Sequence, residues 1–148
     1  MQTATRYQAP DWFTKHVFNR AFRRLTRLGI SVLGSRELRV IGRRSGVART
    51  TVVNLLDHGG RRYLVAPRGE TEWVRNLRAA GTGELRVGRR VESFTYVEIA
   101  DADKVEVLRT YLRRWKWEVG QFFQGVGPDA TDDELLAIAP GYPVFELR

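Results

Sequence analysis

The chain has 148 residues, no cysteine and a formal net charge of +8 carried almost wholly by arginine. That length suits one domain with a real core, and 43% hydrophobic with 11% aromatic residues excludes a disordered chain. Disulfides and thiolate chemistry are excluded, and no run reaches the roughly 18 apolar residues that a membrane span needs.

The opening stretch MQTATRYQAP lacks the apolar core of a secretory signal, so an intracellular protein is expected, soluble or at most attached to a membrane surface. Pro10 and Asp11 mark a helix start, and Phe13, Val17, Ala21, Leu25 and Leu28 recur at helical spacing until Gly29. This predicts an amphipathic helix over about 11–28. Its other face carries Lys15, Arg20, Arg23, Arg24 and Arg27, either as a solvated face or as a basic face resting on anionic lipid.

Strands are predicted next at 37–42 (ELRVIG), 50–57 (TTVVNLLD) and 61–66 (RRYLVA), the last two joined by a His-Gly-Gly turn. A short helix, TEWVRNLRAA, ends at Gly81. GELRVG and RVESFTYVEI then alternate apolar and polar residues around a turn at Gly88 to Arg90. Asp101 is placed to cap a helix in which Val105, Leu108, Leu112 and Trp115 share a face. Thr131 and Glu134 form a capping-box pattern before a helix that Pro140 ends, and PVFEL (143–147) closes the chain as a strand. Six short strands with mostly hairpin links predict a small antiparallel β-barrel of α+β class with flanking helices, one domain over 1–148. A parallel order is disfavoured, because no helix separates the first three strands.

The residues carry no acid–base or metal constellation. His16 and His58 lack partners at metal-ligand spacing, and no nucleophile elbow, zinc motif or Walker loop is present. An enzyme built from this chain would rely on a bound cofactor for its chemistry.

One stretch stands out. In GRRSGVART (42–50) two glycines bracket two arginines and a serine. Guanidinium groups bind phosphate or carboxylate bidentately, and glycines let backbone N–H groups approach an anion. Alone, the stretch is a weak motif and reads more readily as a solvated basic hairpin tip than as a site. A second Gly-Arg loop follows in VAPRGETEWVRNL, leading into a helix whose start could face an anion. Two basic turns at neighbouring strand ends would form one groove.

Together, GRRSGVART and VAPRGETEWVRNLRA resemble the deazaflavin-dependent nitroreductase and quinone reductase family of actinobacteria, over roughly residues 12–148. The resemblance implies a split β-barrel and coenzyme F420 as hydride carrier, with FMN as a less favoured cofactor. It implies that Arg43, Arg44, Ser45 and Gly46, with Arg49 and Thr50, hold the cofactor's anionic tail. Ala66, Pro67, Arg68 and Gly69 would run beside the deazaflavin ring. Trp73 and Asn76 match a W-x-x-N-L pattern in which Trp73 covers the cofactor and Asn76 caps or braces the loop. The chain departs from its relatives at Pro67, where many have serine, at Asn54, where some have tyrosine, and in a shorter loop before Trp73.

Quinones or nitroaromatics are the acceptors the family suggests. The aromatic segment YLRRWKWEVGQFF is read chiefly as core, with Tyr111, Trp115 and Phe122 as candidates to line an apolar substrate pocket. No catalytic proton donor is assigned. A non-catalytic carrier of a deazaflavin or fatty acid is the alternative reading. Nucleic-acid binding is not expected, since the arginines are dispersed and the aromatics internal. The sequence is compatible with a monomer or a homodimer.

Overall fold

The structure, a computed structural model, describes residues 34–148. The helix expected over about 11–28, with His16 and its lipid-facing reading, lies outside the described residues. The architecture is α+β, with seven strands in a sheet of order β5-β4-β1-β2-β3-β7-β6. The chain divides into two compact units.

One unit comprises residues 34–55, Glu72–Tyr96 and Leu147–Arg148. Here β1 (Ser35–Ile41) lies between the first part of β2 (Ala48–His58) and β4 (Gly83–Val87), and β4 pairs in turn with β5 (Arg90–Phe94), all antiparallel. Period-2 alternation puts Leu38, Val40, Val53, Leu85, Val87 and Phe94 on one face, all buried. Helix α1 (Glu72–Ala80) packs on β1 and buries Val74 and Leu77. The other face carries cross-strand charge pairs at directly opposed positions: Arg39 with Glu84 at 3.1 Å and Arg86 with Glu37 at 3.9 Å. Gly83 is required by packing, since a Cβ there would sit 2.9 Å from the Phe94 ring.

The second unit comprises Leu56–Thr71 and Val97–Glu146 in the described chain. The end of β2 turns at Gly59 and Gly60, both left-handed (φ 60° and 78°), into β3 (Arg61–Val65), as a tight hairpin demands. β3 pairs with β7 (Val144–Leu147), setting Tyr63 opposite Glu146 and Val65 opposite Val144. Helix α2 (Val105–Val119) buries Val107, Leu108, Tyr111, Leu112, Trp115 and Val119. Their rings form a continuous cluster: Tyr111 lies 5.1 Å from Trp115 and 6.1 Å from Phe123, which stacks on Tyr142 at 4.3 Å. Arg109 ties α2 to the segment before α3 (Asp132–Ile138), donating to the carbonyls of Pro128 and Ala130 and pairing with Asp132.

The capping box at Thr131 and Glu134 is present with both of its hydrogen bonds. Two expectations are corrected. Among the described residues there are seven strands rather than six, because the run 90–99 breaks at Thr95 into β5 and β6 (Tyr96–Glu98). The break is held by partners distant in sequence: Thr82 Oγ1 donates to the Phe94 carbonyl at 2.7 Å, and the Arg148 amide to the Thr95 carbonyl at 2.8 Å. Asp101 does not cap α2. It opens a 3-10 turn, and its carboxylate is engaged by Lys104 Nζ at 2.8 Å, so α2 begins only at Val105.

Candidate functional site

The GRRSG turn forms because the strand ends of β1 and β2 must be bridged in six residues. The Gly42 amide donates to the Val47 carbonyl at 2.9 Å, and the Gly46 amide to the Gly42 carbonyl at 2.9 Å. Gly46 is left-handed (φ 72°). At Gly42 a Cβ would stand 2.9 Å from Ser45 Oγ and 3.1 Å from the Val47 carbonyl, so no larger residue fits. Ser45 Oγ accepts from the Val47 amide at 3.1 Å, locking the tip. The glycine amides expected to face an anion are therefore engaged inside the turn.

The turn is tied to α1 within the same unit. Asn76, buried at 5% exposure, uses Oδ1 to accept from the Arg43 amide at 3.0 Å and from Arg43 Nη1 at 2.8 Å. Nη1 also donates to Glu72 Oε1 at 2.9 Å. Arg43 is thus turned onto the helix, with 18% of its side chain exposed. Arg44, Arg49 and Thr50 are exposed, and neither Arg44 nor Arg49 forms an ion pair among the described residues. Trp73, in the first turn of α1, is half-buried. The helix start already holds an acid, Glu72, which suits the positive end of the helix dipole. Its carboxyl lies below the ordinary carboxylate range, chiefly through the Arg43 hydrogen bond, with the charges of Arg43, Arg44 and Arg75 adding to it.

Sequence reasoning passed over Glu72 as a member of this cluster. Its only signal was an acid directly before the tryptophan of the W-x-x-N pattern, in a loop otherwise read for its arginine.

The remaining candidates lie in the other unit. Ala66 and Gly69 close a β-turn by the Gly69 amide to the Ala66 carbonyl at 3.2 Å. Pro67 occupies its second position, where a fixed φ is favoured, and Gly69 is left-handed (φ 84°). Ala66 is fully buried, with its amide on the Pro143 carbonyl at 2.9 Å, while Arg68 is half-buried. Of the aromatic candidates, Tyr111 and Trp115 are core residues at 2% and 0% exposure, and Phe122 is half-buried. Trp117 stands out in solvent at 65%. His58 is half-buried, and its Nδ1 lies 3.0 Å from Thr110 Oγ1. No group of His, Cys, Asp and Glu fit to hold a metal ion occurs among the described residues, and no helix among them is long and apolar enough to cross a membrane.

Several solved structures resemble the chain, three of which are the following. A domain-swapped dimer is 18% identical with a TM-score of 0.55, covering 93% of this chain and 98% of its own. An F420-H2 dependent reductase is 16% identical with a TM-score of 0.53, covering 78% and 94%. The protein Atu2129 of Agrobacterium tumefaciens, of unknown function, is 14% identical with a TM-score of 0.55, covering 95% and 57%. At such identities the likeness concerns the fold, which is the split-barrel one. No curated protein matches the chain. The family model described as F420H(2)-dependent quinone reductase matches residues 17–122, well over half of the sequence, and the chain belongs to that family.

Proposed function

We propose that the chain binds reduced coenzyme F420 through its arginine turn and passes a hydride to a quinone, nitroaromatic or similarly electron-poor acceptor. The observation that carries this reading is the division of labour among the arginines. Asn76 fixes Arg43 and with it the turn, while Arg44 on the turn and Arg49 at the start of β2 remain exposed.

The residues present fit a group with an anionic tail. Two exposed guanidinium groups offer paired donors to phosphate or carboxylate oxygens. A loop already fixed by its own hydrogen bonds loses little conformational freedom on binding. Trp73, half-buried at the first turn of α1, offers a flat ring of the kind that stacks on a heterocycle. The deazaflavin supplies the hydride when bound. The protein's part is to bind the tail, orient the ring and keep the acceptor beside it. A homodimer is the assembly we favour, on the example of the domain-swapped dimer among its structural neighbours; sedimentation of the purified protein tests it.

The decisive measurement is a fluorescence titration of Arg44→Ala with F420, with FMN and FAD as controls. The loss of charged hydrogen bonds is expected to weaken F420 binding by about tenfold or more without lowering the melting temperature. Unchanged affinity would sink the assignment. Turnover of menadione with the bound cofactor separates a reductase from a non-catalytic carrier.

A further inference from the structure

One acidic side chain stands among the arginines of this turn. Glu72 places Oε1 2.9 Å from Arg43 Nη1, a nitrogen that also donates to Asn76 Oδ1 at 2.8 Å. A terminal guanidinium nitrogen carries two hydrogens, so both are engaged. The two acceptors differ in how readily they leave. Asn76 is buried, and separating it from Arg43 would strand polar groups away from water. The Glu72 side chain is 73% exposed, and an exposed carboxylate gives up an ion pair to water at little cost.

We propose that Glu72 is an internal counter-anion of the arginine turn, which occupies Arg43 in the free protein and is displaced when an anionic ligand binds. The inference rests on the turn being an anion site, as proposed above, and concerns how that site discriminates. In the free protein Arg43 is a positioning residue that holds the turn on α1. Once Glu72 leaves, one Nη1 hydrogen and the uncompensated charge of Arg43 become available, and Arg43 joins Arg44 and Arg49 as a third full cation for the ligand.

A carboxylate tethered in this way competes at an effective concentration on the order of millimolar. A monocarboxylate free in solution does not displace it at lower concentrations. A tail with several charges, which engages Arg44 and Arg49 as well, does. Glu72 therefore favours multiply charged ligands over simple carboxylates present below that concentration.

The test is to titrate the wild-type protein and Glu72→Gln with F420 by fluorescence and with inorganic tripolyphosphate by calorimetry. Removing one exposed competing charge is expected to tighten binding of both about 2- to 5-fold, with the gain shrinking as salt screens the site. The gain is expected to fall away in an Arg43→Ala background, which separates displacement from Arg43 from a general rise in net charge. A gain of the same size in that background, or neither anion binding Glu72→Gln more tightly, overturns the proposal. If F420 binds neither protein but tripolyphosphate gains through Arg43, the cofactor reading falls and the counter-anion stands. If F420 binds both proteins equally and tripolyphosphate shows no gain, the counter-anion falls and the cofactor reading stands.

Discussion

Arg43 and Asn76, 33 residues apart, meet twice: one amide oxygen of Asn76 accepts from the Arg43 backbone at 3.0 Å and from its guanidinium at 2.8 Å. A single side chain thereby fixes both the conformation of the turn and the direction of its first arginine.

Asn76→Ala removes the one acceptor of both hydrogen bonds and leaves a partly buried amide without a partner. The expected loss is about 1–3 kcal/mol of stability. Asn76→Asp keeps an acceptor for both donors and places it against a cation, so it is expected to cost clearly less. Urea denaturation of the two variants checks this order, and equal losses would mean that the Arg43 contacts do not matter.

Arg43→Ala and Arg44→Ala are expected to behave differently although the residues are adjacent. Arg43 bridges two partners on α1, so its removal should lower the melting temperature as well as F420 affinity. Arg44 is exposed and forms no ion pair among the described residues, so its removal should affect binding alone. Parallel thermal melts and titrations separate the two roles.

The Arg43–Glu72 pair gives stability a pH dependence whose sign follows from the lowered carboxyl pKa of Glu72. A carboxylate whose folded pKa lies below its unfolded value, about 4.3, contributes fully above the unfolded value. The contribution is lost as pH falls through the folded one. Wild type should therefore be more stable than Glu72→Gln at pH 7, and the gap between the two should narrow as pH falls below the unfolded value of about 4.3. A difference that does not narrow at all in acid would show that the variant acts through something other than the ion pair.

Much of the fold was legible because the responsible residues act locally. Gly59 and Gly60 turn the β2–β3 hairpin, and Thr131 with Glu134 caps α3 within one helical turn. The break at Thr95 was not legible. Its alternation runs on through FTYVEI, and the hydrogen bonds that divide it come from Thr82 and Arg148. Asp101 misled for a different, local reason: a good capping residue was diverted to a lysine three positions on. In the candidate site, GRRSG marked a charged turn correctly. Nothing local to it said that Arg43 would face the helix, because its acceptors arrive with Glu72 and Asn76 after an intervening hairpin.

Two tryptophans separated by one residue should respond in opposite ways. Trp115 is fully buried, packed against Tyr111, and sits at a kink in α2 where its own backbone leaves helical geometry (φ −124°, ψ 19°). Trp115→Ala leaves a large cavity and is expected to cost about 3–5 kcal/mol. Trp117 is 65% exposed, and its replacement by alanine should change stability by no more than about 0.5 kcal/mol. Guanidinium denaturation measures both. Should Trp115→Ala instead leave stability intact and impair only acceptor turnover, Trp115 would be a wall of the substrate pocket rather than part of the core.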